Sequence, residues 1–175
     1  MPAKQSLNFF LFILGGVLVL IIISLLIFKL RGQGIFVKKP KNMSYHSNII
    51  KATQDNANFR QVLFTGTNSQ LVLMSIPPGT AVGAETHKYT EQTLFFLSGT
   101  GMGELDGKQF SIVPGDVVVV VPGTEHNFWN TGTTPLKIYT TYAPPNHIDG
   151  RVQATKAAAD ADTADEAIGE TPPVK

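Results

Sequence analysis

The chain has 175 residues, with 14 lysines and arginines against 13 acidic residues, which leaves a formal net charge of +1 at neutral pH. This length allows one domain with attached segments. The chain has no cysteine, which excludes disulfides, thiolate metal sites and a cysteine nucleophile. Residues 42–152 carry six basic and eight acidic side chains, so this part lacks the basic surface typical of nucleic-acid binding. We therefore expect no nucleic-acid partner.

An apolar segment occupies residues 9–28, after a short tail of residues 1–8, and Ser24 is its only polar side chain. About 20 apolar residues are enough for a helix to cross the hydrocarbon core of a bilayer. A cleaved signal peptide is the alternative, but its apolar stretch is normally about 7–15 residues long and precedes small residues. Here Lys29 and Arg31 follow the apolar stretch. The sequence thus predicts one uncleaved transmembrane helix and a membrane location.

Residues 29–47 combine glycine, proline and lysine without apolar periodicity, and we interpret them as a basic linker. The amino-terminal side of the apolar segment offers only Lys4 and the free amino group. The other side offers five basic residues: Lys29, Arg31, Lys38, Lys39 and Lys41. Because the more basic flank tends to stay in the cytoplasm, we expect a single-pass protein whose folded domain lies on the cytoplasmic side.

Residues 48–152 consist of short β-type runs separated by turn signals, which is typical of an all-β sandwich or barrel. The runs are residues 61–65, 70–76, 92–97, 101–105, 108–113, 117–121 and 136–142. Asp106-Gly107 predicts a tight hairpin between two of them. The five consecutive valines at 117–121 predict a strand buried on both faces. Residues 153–175 are rich in alanine and acidic residues, and we expect this tail to be mostly disordered, with Thr155 able to cap a short helix.

The segment from Gly79 to Gly99 places a carboxylate and an imidazole two residues apart, at Glu85 and His87, with Gln92 five residues later. Side chains two apart on a strand point to the same face, so Glu85 and His87 can converge on one ion. The spacing is a glycine, five residues, Glu-x-His, four residues, Gln, six residues and a glycine.

A second segment begins at Gly115 and continues through Pro122-Gly123 to His126 and Asn130. Together the two segments resemble the paired motifs of the cupin superfamily, and the spacing agrees throughout both. The resemblance implies a double-stranded β-helix, a jelly-roll barrel with a metal site in its mouth. Stretches such as FRQVL and YTTYAPP are similar to single-domain cupins of the mannose-6-phosphate isomerase-like subgroup. The resemblance also implies a small-molecule ligand and a possible homodimer formed through edge strands.

The predicted metal ligands are Glu85, His87, Gln92 and His126. They depart from the usual pattern, in which a histidine stands at position 85 and a glutamate at position 92, and the two exchanges cancel in charge. Two imidazoles, a carboxylate and an amide oxygen suit Mn²⁺, Fe²⁺, Ni²⁺, Co²⁺ or Zn²⁺. Four protein ligands leave room on a six-coordinate ion for a substrate, as Lewis-acid chemistry requires.

The chemistry beyond the metal stays open in the sequence, which contains no evident acid–base pair and no assignable catalytic residue. The leading hypothesis is an isomerase-like enzyme acting on a sugar or a keto or hydroxy acid. The alternative is a non-catalytic module that binds a small ligand or senses metal at the membrane. Glu125 is expected to face outward, Tyr142 to pack in the barrel, His147 to fix a loop and Asn130 to close the turn after His126.

Overall fold

A computed structural model describes residues 44–172 of the chain. The predicted tail of residues 1–8 and transmembrane helix of residues 9–28 lie outside the described residues, as does most of the linker at 29–47. Among residues 44–172, no helix is long and apolar enough to cross a membrane.

The described residues form three short helices and ten strands. The helices are α1 (Ile49–Asp55), α2 (Lys156–Asp160) and α3 (Thr163–Gly169). The first five strands are β1 (Arg60–Thr65), β2 (Gln70–Ile76), β3 (Glu85–Thr86), β4 (Glu91–Ser98) and β5 (Gly101–Leu105). The remaining five are β6 (Lys108–Ile112), β7 (Val117–Val120), β8 (Glu125–Asn130), β9 (Leu136–Ala143) and β10 (Val152–Gln153).

The strands form two antiparallel sheets. The larger has the order β10-β1-β2-β9-β4-β7, and the smaller has the order β3-β8-β5-β6. Large apolar side chains from both sheets pack together in one core; the rings of Phe96 on β4 and Phe128 on β8, for example, lie 5.6 Å apart. This arrangement fits a double-stranded β-helix and confirms the all-β expectation.

The predicted hairpin at Asp106-Gly107 is confirmed, because it joins β5 to β6 with Leu105 paired to Lys108. Both turn residues have positive φ, 46° for Asp106 and 77° for Gly107, the backbone state that this short type of hairpin turn requires. Asp106 also accepts a hydrogen bond from the Glu125 amide, which ties the turn to β8, the strand that carries His126.

The predicted burial of the valine run on both faces is wrong. Val118 and Val120 are buried, whereas Val117, Val119 and Val121 are each about half exposed, between 51% and 54%. The reason is the position of β7, which pairs only with β4 at one edge of the larger sheet within the described residues. Alternation therefore turns every second valine outward, and the β-branched side chains reflect strand propensity rather than complete burial.

The expectation of a mostly disordered tail is also wrong for residues 153–172. Thr155 caps α2 by accepting a hydrogen bond from the Ala158 amide, and Asp162 caps α3. Few large apolar residues hold this region, but Asp165 on α3 is only 2% exposed and is fully engaged in polar contacts. The tail is docked by buried hydrogen bonds, which its polar composition does not reveal. We call residues 154–170 the C-terminal segment.

Candidate metal centre

Three of the four predicted ligands come together between strands of the smaller sheet. Glu85 on β3 is paired directly with His126 on β8, and His87 follows two residues after Glu85. One ligand atom from each of Glu85, His87 and His126 lies within 4.8 Å of the other two. Directly opposed residues of an antiparallel pair share a face, so the register itself creates this cluster.

His87 and His126 can each present an unprotonated ring nitrogen to a metal ion. His126 Nδ1 lies 3.0 Å from the Thr124 carbonyl oxygen, which can only accept, so Nδ1 carries the proton and Nε2 is free to bind metal. Burial lowers the pKa of His87 from 6.5 to about 4, with Glu85 opposing this shift and His126 adding to it. His87 is therefore neutral at physiological pH, as a metal ligand must be.

Asn146 can set which nitrogen of His87 is available. Its amide nitrogen Nδ2 lies 3.4 Å from His87 Nδ1, and the Asn146 Oδ1 atom is buried without a hydrogen-bond partner. A half-turn of the amide places Oδ1 against Nδ1, which then donates its proton and leaves Nε2 as the metal-binding atom. This second contact is the usual way in which a protein orients a ligating imidazole.

Gln92 approaches from the larger sheet, where β4 places it directly opposite Tyr142 on β9. It is 3% exposed, and its amide nitrogen donates to the Tyr142 hydroxyl oxygen at 2.8 Å. Burial raises the pKa of Tyr142, so the hydroxyl stays protonated. The amide oxygen Oε1 of Gln92 is buried without a partner, which suits a fourth ligand. Direct ligation by Gln92 stays a prediction.

Arg60 on β1 orients the Glu85 carboxylate. Its guanidinium NH2 lies 3.2 Å from Glu85 Oε1, while Glu85 Oε2 lies 3.8 Å from His87 Nε2. One carboxylate oxygen is thus held by Arg60 and the other faces the histidines. No motif in the sequence marks Arg60, although its place in the alternation with buried Val62 could have identified an inward-pointing charge.

His147 forms a buried pair with Asp165 of the C-terminal segment, with 2.8 Å between Nδ1 and Oδ2. Although burial opposes it, the hydrogen bonds from His147 and from the Ile148 amide hold the pKa of Asp165 below its usual value. Burial lowers the pKa of His147, so the imidazole is neutral and donates Nδ1–H. The backbone amide of His147 also donates to Gln70, so the predicted loop-fixing role is confirmed. The pairing with Asp165 has no signal in the sequence.

The predictions for Glu125 and Asn130 are confirmed, and neither residue belongs to the metal centre. Glu125 is exposed and faces outward. Asn130 closes the turn after β8, because its side chain donates to the carbonyls of Ile76 and Thr134 and accepts from the Gly132 amide.

A cavity of about 280 Å³ opens beside these groups. Its polar lining includes Arg60, Glu85, His87, Asn146, His147 and Asp165. This volume lies at the small end of ligand pockets, which span roughly 300–1,000 Å³.

Buried polar atoms without partners concentrate at this centre. Seven side-chain nitrogen or oxygen atoms are buried and unpaired in residues 44–172, and six of them belong to this neighbourhood. They are Arg60 Nε, His87 Nε2, Gln92 Oε1, His126 Nε2, Asn146 Oδ1 and His147 Nε2. Folded proteins rarely leave such atoms unpaired. A divalent ion bound to the Nε2 atoms of His87 and His126 and to Gln92 Oε1 would give three of these six atoms a partner.

Comparison with known proteins gives the family. The Cupin_2 family model, described as "Cupin domain", matches residues 72–142, which include all four predicted ligands. The crystal structure of BH2720 from Bacillus halodurans superimposes with a TM-score of 0.67 at 36% sequence identity, over 71% of this chain and 97% of that one. The chain belongs to the cupin superfamily.

Two curated relatives are similar to parts of the chain. Uncharacterized protein YrkC of Bacillus subtilis is 43% identical over 119 residues, which is 64% of this chain but only 63% of that protein's length. The oxalate-binding protein of Thermotoga maritima is 36% identical over 64 residues, 37% of this chain and 53% of the relative. The mannose-6-phosphate isomerase-like subgroup stays a prediction.

Proposed function

We propose that the chain is a membrane-anchored cupin that holds a divalent metal ion with Glu85, His87, Gln92 and His126. The observation that carries this proposal is the convergence of three ligand atoms within 4.8 Å, each histidine with an unpaired Nε2. The donors suit Mn²⁺, Fe²⁺, Ni²⁺, Co²⁺ or Zn²⁺. When bound, the ion supplies Lewis-acid stabilisation of negative charge on a substrate oxygen.

The protein's own residues would bind and orient a small oxygen-rich metabolite in the adjacent cavity. Arg60 fixes Glu85 and brings a positive charge to the wall. His147, held by Asp165, keeps its proton on Nδ1 and presents Nε2 as an acceptor or proton-receiving atom. This pair is an acid–base candidate that the sequence alone does not suggest, and it supports an enzyme.

The charges around the cavity do not favour an acidic substrate over a neutral sugar. Five carboxylates line it, against the single guanidinium of Arg60, which leaves four negative charges in excess: Glu85, Asp160, Asp165, Glu166 and Glu170. A divalent ion would halve this excess and leave the lining negative. The reaction we favour is an isomerase-like proton transfer on a sugar or on a keto or hydroxy acid. The alternative is a binding module without turnover, which the similarity to a protein named for oxalate binding supports.

The membrane anchor is part of the same proposal. Residues 9–28 are apolar apart from Ser24, and the basic flank that follows them favours a cytoplasmic domain. Apolar insertion is not screened by salt, so the protein should stay in the membrane fraction after a high-salt wash. Protease added to intact spheroplasts should leave the domain uncut until the membrane is permeabilised.

Elemental analysis of the full chain, purified in detergent, tests the metal centre. We expect close to one divalent ion per chain in the wild type and loss of most of it in His87→Ala and in His126→Ala. Glu125→Ala is the matched control, because Glu125 neighbours His126 but is exposed. Full occupancy in both histidine variants would place the metal elsewhere in the chain.

A substrate panel separates the two functions. The metal-loaded protein is incubated with small keto acids, hydroxy acids, oxalate and sugars, and product formation and thermal stabilisation are measured together. Metal-dependent turnover of a sugar, a keto acid or a hydroxy acid supports the enzyme. Stabilisation by oxalate or another compound without turnover supports the binding module.

A further inference from the structure

A line of buried polar contacts connects the C-terminal segment to the metal centre. Asp165 Oδ2 lies 4.0 Å from the Arg60 guanidinium, and the side chain of Gln153 bridges the two, donating to Asp165 at 3.3 Å and accepting from Arg60 at 3.4 Å. Arg60 in turn contacts Glu85. The Asp165 carboxylate also pairs with His147 Nδ1.

We propose that Asp165 is a positioning residue for the metal centre. Through Arg60 it determines how Glu85 is shared between the guanidinium and the ion, and through His147 it fixes a second part of the cavity lining. The inference rests on the proposed function, because it assumes that Glu85 is a metal ligand. It makes the C-terminal segment, which lies outside the matched family region of residues 72–142, part of the functional site.

The direction of the effect follows from the charges. The Arg60 side chain is 10% exposed and has two carboxylates nearby, Glu85 and Asp165. If Asp165 loses its charge, the buried guanidinium depends on Glu85 alone and competes more strongly with a cation for that carboxylate. Metal affinity should therefore fall, by the roughly 10–100-fold typical when a residue that orients a ligand is removed.

The substitution Asp165→Asn tests this with little change in shape. One amide oxygen can still accept from the Ile148 amide, as Asp165 does now at 2.7 Å. The NH₂ group, however, faces the donors of His147, Gln153 and Arg60. The affinities of the full chain in detergent for Mn²⁺ and Zn²⁺ are measured by isothermal titration calorimetry, with circular dichroism of each sample to verify folding.

Two comparisons isolate the positioning role. Glu125→Gln removes the same charge from a residue that neighbours His126 but is exposed and does not line the cavity, and it should leave the dissociation constant within about twofold of wild type. In an Arg60→Gln background, Asp165→Asn should produce less than about a twofold further loss, because the route through Arg60 is already broken. If Asp165→Asn does not fold, Gln153→Ala replaces it, since it removes the bridge to Arg60 and leaves the contact between Asp165 and His147.

The outcomes are distinct. A tenfold or larger loss of affinity in Asp165→Asn, with the affinity of Glu125→Gln unchanged, supports the inference. An unchanged dissociation constant in Asp165→Asn, even with a lower melting temperature, overturns it and leaves Asp165 as a docking residue only. Equal losses in both variants also overturn it, because they indicate a general charge effect. If the wild type binds neither metal, the proposed function fails, and this inference fails with it.

Discussion

Acidification should destabilise the metal-free protein through His87. Burial lowers its pKa from 6.5 in the unfolded chain to about 4 in the fold. At pH values between these two pKa values the unfolded state binds a proton that the folded state does not bind, so the free energy of unfolding falls as the pH falls. The complete effect is about 3 kcal/mol, at 1.36 kcal/mol per pKa unit, and about 2 kcal/mol of it appears between pH 7 and pH 5. Burial also lowers the pKa of His147, which adds a loss of the same sign.

The assay is urea unfolding in the presence of a chelator, followed by the fluorescence of Trp129, the single tryptophan of the chain. The wild type is compared at pH 7 and pH 5 with His87→Gln, which cannot titrate in this range. The variant should lose about 2 kcal/mol less than the wild type between the two pH values. Equal losses in both proteins would refute the reasoning, because the buried imidazole would then play no part.

Two further predictions concern ligand charge and sheet packing. Gln92→Glu should raise metal affinity roughly tenfold, since a carboxylate replaces a neutral amide oxygen. Calorimetry with Mn²⁺ measures the affinity, and Gln109→Glu is the control, because Gln109 is exposed. Unchanged affinity would indicate that position 92 is not a ligand. Gly101→Ala should lower the free energy of unfolding by about 3 kcal/mol or more, because a Cβ there would lie 2.4 Å from the Trp129 backbone oxygen. In Gly107→Ala the added Cβ has no atom within 4 Å, but the φ of +77° disfavours a side chain, so the loss should be about 1 kcal/mol. Urea unfolding measures both, and equal costs would contradict the steric argument.

The strands were largely predictable because their signals are local. Alternation and turn residues located seven of the ten strands to within about two residues, including β2 and β5. The two-residue strands β3 and β10 give no periodicity, and their existence depends on pairing with β8 and β1. The valine run shows the limit of pattern reasoning. Five apolar residues give the same signal in an edge strand and in a central one, and only the sheet order separates the two cases.

The candidate site was predictable as far as spacing fixes geometry. The interval between Glu85 and His87 places both on one face, and the structure confirms that they meet His126. Alternation could have marked Arg60 as inward-pointing, but its contact with Glu85 and the pairing of His147 with Asp165 were not predictable, because they join distant parts of the chain. Single buried ion pairs leave no periodic trace in a sequence.

The family region and the segments that flank it contribute different parts of the candidate site. The family region at residues 72–142 supplies the proposed ligands, and many chemistries can use such a centre. The cavity beside it receives Arg60 from β1, His147 from the loop after β9, and Asp165 from α3, all outside that region. Under the proposed function, a substrate would meet these three residues together with Glu85 and with further carboxylates of the C-terminal segment. We therefore propose that substrate selection depends in part on segments that flank the family core, so cupins that share the four ligands but lack an equivalent of Asp165 should differ in what they bind.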